Sequence, residues 1–294
     1  MLRTAGDLPS RSLEGPSRLI SHSIRATLES HRMGIREQVG GILRRRVLIG
    51  AFLSVDLRLK YRRSSLGFLW SLLNPLLMLT VMALAFSFLF PRGSSRGSFV
   101  LHLFACLLPW QALTASVEQG GRSLVKGESL LLQYPLPKLV LPLRRTLFAF
   151  VEYFFALVAL GLVAGFVGFR PTWALLWLPV GVALLFFFSL GIAAVAAVTT
   201  VYFRDAVHLL GVSLRAWFYL TPVLIPFTAI PESVRTWAQL NPAYHLIKIF
   251  DDVINLGVAP APATLLIAAG CALTALLLGL WVTAKFEHQL VFRL

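Results

Sequence analysis

The sequence predicts an all-α integral membrane protein. It has six transmembrane helices, an N-terminal amphipathic helix along the membrane surface, and re-entrant helices between spans five and six. Three observations predict this. The 294 residues are 57% hydrophobic and 14% charged, where a soluble domain carries about 25% charge, and the mean hydropathy is +0.76. Six apolar runs lie near the ~20 residues that cross a bilayer core. Basic residues gather at one set of loop ends, as the translocation cost of Lys and Arg demands.

Residues 1–38 hold scattered Arg and Ser but no apolar core of the kind a secretory signal needs. They are expected to form a cytoplasmic extension, partly disordered, with an organelle transit peptide as the weaker reading. Asp7, Glu14, Glu29 and Glu37 dilute the basic character that a transit peptide requires.

Residues 39–65 are expected to form an amphipathic helix along the membrane surface. Ile42, Leu43, Val47, Leu48, Ala51, Phe52, Val55 and Leu59 recur at helical spacings of three and four, while Arg44, Arg45, Asp56 and Lys60 take other faces. Packing on a partner protein is the alternative use of the same apolar stripe. The helix ends in DLRLKYRRSS, directly against the first apolar run.

The helical transmembrane domain covers residues 66–290. Spans are expected at 66–90, 99–117, 146–167, 173–201, 209–227 and 263–284. An even number puts both termini on one side. With termini inside, only Arg92, Arg96, Arg170, Arg235 and Lys248 of the 27 Lys and Arg residues fall outside, so both termini are expected to be cytoplasmic.

Two loops depart from a plain ladder of hairpins. The cytoplasmic loop 118–142, EQGGRSLVKGESLLLQYPLPKLVLP, is too apolar for a passive linker and suits docking of a short helix into a partner groove. The segment 230–256 holds two apolar stretches, each too short to cross, divided by Asn241–Pro242. It is expected to enter and leave the outer leaflet, with a surface loop of two short helices as the equal alternative.

Chemistry is sparse. There is no HExxH, no GxSxG and no GxxxxGK[ST], so no metalloprotease, hydrolase elbow or P-loop is present. No CxxC or Cys/His ligand spacing stands out, and Cys106 and Cys271 are expected to be packing residues with no metal role. His102 is expected to be a partnered polar residue of the bundle. Glu152 is expected to pair with Arg144 or Arg145. The scarcity of embedded charge disfavours an ion-coupled secondary transporter. The net charge of +14 is topogenic and lipid-facing, and no nucleic-acid partner is expected.

DLRLKYRRSSLGFLWSLLNPLL is similar to the first-span entry of type-2 ABC exporter permeases. It is nearest to the branch exporting polysaccharides and polyol phosphates, namely O-antigen, capsule and teichoic acid. The residues that carry the resemblance are Lys60-Tyr61-Arg62, Ser64 or Ser65, Leu66-Gly67, Trp70 and Asn74-Pro75. LVKGESLLLQYPLPKLVLPL at 124–143, YFRD at 202–205, YLTPVLIP at 219–226 and LNPAYHLIKIFDDV at 240–253 follow in the family's order.

The resemblance implies a transport subunit rather than an enzyme, in the cytoplasmic (inner) membrane, and an interface or gate role for the amphipathic helix at 39–65. It implies a second copy of the chain, two copies of a nucleotide-binding ABC ATPase, and a lipid-linked glycan as substrate among membrane lipids. ATP and Mg belong to the partner; no cofactor is expected on this chain. A drug-efflux permease of the same superfamily is the nearest rival.

Candidate substrate-path residues are Trp70, Phe86, Phe88, Trp110, Trp217, Phe218 and Tyr219. Candidates for the lipid headgroup and gate are Arg58, Lys60, Tyr61, Arg62 and Arg63. Candidates for ATPase coupling are Arg122, Leu124, Val125, Lys126, Glu128 and Leu130.

Overall fold

A computed structural model describes residues 40–61 except 43, then 69–89, 95–127, 136–166, 171–224, 227 and 231–293. These residues are helical, with no strand among them. The helix expected at the membrane surface is α1 (Arg46–Tyr61). It is followed by α2 (Trp70–Leu89), α3 (Ser95–Gly121) and the one-turn α4 (Ser123–Lys126). Next come α5 (Val140–Phe166), α6 (Leu178–Tyr202) and α7 (Ala206–Leu220). The chain closes with α8 (Glu232–Gln239), α9 (Pro242–Phe250) and α10 (Pro262–Arg293).

Among the described residues, three helical stretches are long and apolar enough to cross a membrane: Val140–Gly165, Trp173–Tyr202 and Pro262–Glu287. The third expected span, 146–167, overlaps the first of these up to Gly165, the fourth lies within the second, and the sixth lies within the last. Helix α2 fits the first expected span closely. Helix α3 begins four residues earlier and ends four later than the second. The fifth expected span is shortened. Helix α7 has 15 residues, about 22 Å of rise, because the chain leaves the helix at Thr221 with an extended backbone.

Helix α6 is the central element. Its sequence runs LGIAAVAAV, and Ala193, Ala194, Ala196 and Ala197 are all buried. Such small residues let helix backbones approach closely where lipid offers no hydrophobic drive to associate. Gly191 marks the closest point: a Cβ there would lie 2.2 Å from the backbone carbonyl of Ala275 on α10. Helices α3 and α10 pack against α6, and α5 packs against α3. The main core joins Phe104, Leu113, Leu185, Leu246, Ile249 and Phe250.

The segment after α7 contains the two short helices expected from its pattern. Asn241 starts α9 because its side chain accepts from Ala243 N at 3.0 Å, and Pro242 sits at the first helical position. Asn241 also takes the indole hydrogen of Trp217 at 2.8 Å, and it donates to Thr221 Oγ1 at 2.8 Å. One side chain therefore ties the end of α7 to the start of α9. Helix α9 runs into a π-helical turn, Asp251–Asn255, whose buried residues pack on α3.

Candidate functional site

A cavity of about 190 Å³ opens where α1, α2, α3 and α5 meet. Lys60 comes from α1, Trp70 and Asn74 from α2, Gln111 from α3, and Glu152 and Tyr153 from α5. Ala112, Ala115, Ala149 and Ala156 leave the room. Gln111 lies ten residues before the end of α3, about 15 Å along the helix, so the polar lining reaches well into the bundle. Gln111 donates to Met78 Sδ at 3.4 Å. Tyr153 is buried against Phe150 and Phe250, and its hydroxyl has no hydrogen-bond partner among the described residues. A buried hydroxyl left so costs about 1–3 kcal/mol.

The cavity is tied to the surface helix by charge. Lys60 forms an ion pair with Glu152. One turn earlier, Arg144 grips Asp56 in both directions, Nε to Oδ2 at 2.5 Å and Nη2 to Oδ1 at 2.6 Å. Arg145 stands 3.7 Å from the same carboxylate. The expected pairing of Glu152 with Arg144 or Arg145 is therefore corrected. Eight residues of helix, about 12 Å of rise, separate Arg144 from Glu152, whereas α1 lies alongside α5 and offers a partner at each level.

Lys60 and Trp70, expected as headgroup and path residues, face the same cavity. Arg58 is exposed on α1. Tyr61 ends that helix, while Arg62 and Arg63 lie outside the described residues, as do Glu128 and Leu130. Phe86 and Phe88 belong to α2, but their side chains lie outside the described ones. Trp110, Trp217 and Phe218 cluster inside the bundle, with ring centroids 5.7 Å apart in both the Trp110–Trp217 and Trp110–Phe218 pairs. Trp110 is only 4% exposed. Within a single protomer these three pack the core. Tyr219 is 79% exposed and faces outward.

The coupling candidates divide by burial. Leu124 on α4 is fully buried with Leu141, Val198, Val201 and Leu290, so this one turn is keyed into α5, α6 and α10 together. Glycine suits position 127 behind it, because a Cβ there would lie 2.9 Å from the Ser123 backbone carbonyl oxygen. Val125, Lys126 and Arg122 are exposed. Arg122 and Lys126 share a second, shallower cavity with Glu118, Gln119 and Arg145. Nearby, burial pushes the Lys138 ammonium below the usual lysine range, and the Glu287 carboxylate draws it partly back.

At the opposite end of α3, His102 Nδ1 lies 2.7 Å from Asp251 Oδ1, and Cys106 Sγ 3.8 Å from the same nitrogen. The partner expected for His102 is thus Asp251. These three side chains are of metal-ligand type and fall within 4.8 Å of one another. His102 and Cys106 stand one helical turn apart, a spacing the sequence contains and the expectation of no Cys/His pair passed over. Asn255 Nδ2 also donates to Asp251 Oδ1 at 2.9 Å. Hydrogen bonds among these side chains tie the π turn to α3.

Long apolar helices, a polar cleft among them and an ionic tie to a surface helix define a membrane transport subunit. Residues 48–255 match the family model of the ABC-2 type transporter. The chain is 31% identical to the O-antigen export system permease protein RfbA of Myxococcus xanthus, over 71% of this chain and 80% of that one. It is 26% identical to a protein of the same name from Klebsiella pneumoniae, over 69% and 78%. It is 21% identical to the polysialic acid transport protein KpsM of Escherichia coli, over 84% and 96%. The chain belongs to the ABC-2 type transporter family and is its permease component. Permeases of this family work with a nucleotide-binding ATPase subunit.

Proposed function

We propose that this chain is the six-span permease half of an ATP-driven exporter that carries a lipid-linked polysaccharide across the cytoplasmic membrane. The observation that carries this reading is the likeness to an O-antigen export permease, which covers four fifths of that relative. The keyed coupling turn and the polar cleft give it a physical mechanism.

Two copies of the chain work with two ATPase subunits, which hold ATP and Mg and hydrolyse it. Helices α2, α3, α5, α6, α7 and α10 cross, α8 and α9 re-enter from the outer side, and both termini are cytoplasmic. The ATPase docks on the exposed residues of α4, Arg122, Val125 and Lys126. Movement of α4 passes through buried Leu124 to the bases of α5, α6 and α10. Helix α1 lies along the inner membrane surface and follows α5 through Asp56–Arg144 and Lys60–Glu152. That linkage opens the path between the two copies for a sugar chain and its lipid. Arg58, with Arg62 and Arg63, meets the phosphate of the lipid at the inner surface.

Deletion of the chain in its host, followed by staining of surface polysaccharide and extraction of lipid-linked glycan, tests the reading. Surface polysaccharide is expected to vanish and lipid-linked glycan to accumulate inside. Unchanged surface polysaccharide would overturn it.

A further inference from the structure

His102, Cys106 and Asp251 bring an imidazole nitrogen, a thiol sulfur and a carboxylate oxygen within 4.8 Å of one another. None of the three side chains is more than 3% exposed. Helix α3 supplies two of them four residues apart, so both stand on one face a turn apart. That is the spacing by which a single helix offers two ligands to one ion. The third comes from the π-helical turn Asp251–Asn255, and single π turns recur at functional sites. Tertiary contact thus completes the set, from segments 149 residues apart.

The donor types select the ion. Magnesium and calcium take oxygen ligands in number, whereas here one carboxylate stands beside a nitrogen and a sulfur. Nitrogen, thiolate sulfur and carboxylate oxygen are together the ligand types of zinc. Charge agrees with that choice. A divalent ion held by the Cys106 thiolate, the Asp251 carboxylate and a neutral His102 ring is a neutral unit, which suits a buried place among apolar helices. The neighbouring acid has its own partner, since Asp252 Oδ1 accepts from Lys248 Nζ at 2.6 Å.

Geometry agrees as well. Tetrahedral zinc holds such ligand atoms about 3.4–3.6 Å apart. Cys106 Sγ lies 3.8 Å from His102 Nδ1. His102 Nδ1 and Asp251 Oδ1 are hydrogen-bonded at 2.7 Å, and side-chain rotation by about 0.7 Å brings them to the separation zinc needs. Asn255 Nδ2 donates to Asp251 Oδ1 at 2.9 Å, the kind of outer contact that orients a ligating carboxylate. Phe227 meets the His102 ring edge-on at 6.1 Å. A cavity of about 300 Å³, lined by Asp251 and Asn255 with Lys248 and Arg235, gives an ion its approach.

We propose that His102 Nδ1, Cys106 Sγ and the Asp251 carboxylate bind one zinc ion, with water in the fourth position, and that the ion pins the π turn to α3. Binding releases the thiol proton, and the ring proton sits on Nε2 so that the Nδ1 lone pair meets the metal. This role replaces the packing role expected of Cys106. It does not depend on what the transporter carries.

Metal content and cobalt spectroscopy test the site. The full-length chain, carrying a tag without histidine, is purified in mild detergent and its zinc is measured by plasma mass spectrometry. About one zinc per chain is expected, and Cys106→Ser or Asp251→Asn should lower that content about tenfold or more. Cobalt(II) is then added to the chelator-treated chain, where a thiolate-to-cobalt charge-transfer band is expected. The chain has two cysteines, so a band that persists in Cys271→Ser belongs to Cys106, even where Cys106→Ser fails to fold. Chelation should lower the melting temperature of the parent and leave that of folded Cys106→Ser unchanged.

Absence of the band in the parent, its loss in Cys271→Ser, or its survival in Cys106→Ser would each overturn the site. Zinc bound without a thiolate band is an adventitious ion only, and that result overturns it too. A melting temperature that chelation lowers equally in parent and Cys106→Ser would overturn the pinning role.

Discussion

Lys60 on α1 and Glu152 on α5 form an ion pair across the mouth of a polar cavity. The two residues are 92 positions apart, so the pair fixes the surface helix against the bundle. It is partly solvated, with side chains 43% and 28% exposed, and pairs of that kind contribute about 0–1 kcal/mol to stability. Its value lies in position. Glu152→Gln should leave the melting temperature nearly unchanged and reduce polysaccharide export. The exchange Lys60→Glu with Glu152→Lys should recover export beyond either single variant. A double variant no better than the singles would show that the pair does not carry the coupling.

Asp56 behaves differently because it is buried. It is 9% exposed and accepts two hydrogen bonds from Arg144, itself 9% exposed. Asp56→Ala leaves a guanidinium without its carboxylate, and breaking such a pair costs about 3–5 kcal/mol. Arg145, 3.7 Å away, cannot substitute as an acceptor and adds like charge. The expected result is a clear drop in thermal stability of the detergent-purified chain. Asp56→Glu should recover part of it. Stability equal to the parent in Asp56→Ala would contradict the buried pair.

Much of this was legible in sequence. Periodicity and run length located α1 and the long helices, with ends that differ by up to nine residues, as α10 runs to Arg293 where the expected span stops at 284, and Asn241–Pro242 located the break between α8 and α9. The basic run beside Leu66 pointed to the region where Lys60 and Trp70 later meet. What sequence could not give was pairing between elements. Glu152 lies on the same helix as Arg144 and Arg145, so the nearest cations in sequence looked like its partners, yet helix rise separates them and α1 supplies Lys60. Asp251 is 149 residues from His102, and no periodicity links a π turn to the middle of α3. Gln111 and Tyr153 were missed because each alone reads as an ordinary member of an apolar helix; only the alanines around them, and the packing of three helices, make a cavity.

The coupling turn can be separated into a docking face and a key. Leu124→Ala empties a fully buried site among Leu141, Val198, Val201 and Leu290, where truncation costs about 2–5 kcal/mol. The chain should still bind its ATPase through the exposed face of α4, while ATP hydrolysis becomes less dependent on substrate. Val125→Asp, on the exposed side, should instead weaken co-purification of the ATPase and leave the stability within about 0.5 kcal/mol of the parent. If both variants lose ATPase binding to the same degree, Leu124 is part of the contact surface and not the key behind it.

Asn241 supports two helix ends at once, so its replacement should act at a distance from the side chain. Its amide oxygen caps α9 through Ala243 N and takes the Trp217 indole hydrogen, and its amide nitrogen gives a hydrogen to Thr221 Oγ1. Asn241→Ala removes the cap, worth about 0.5–2 kcal/mol, and leaves the indole of a half-buried tryptophan without its acceptor, a further cost of about 1–3 kcal/mol. Trp217 also packs on Trp110 and Phe188, so the loosened end of α7 should disturb the aromatic cluster, read as a shift in tryptophan emission. Asn241→Asp keeps the cap and the indole acceptor but loses the donor to Thr221. It should therefore hold the emission spectrum of the parent while Asn241→Ala shifts it. A shift of equal size in both variants would place the control at Thr221 rather than at Trp217.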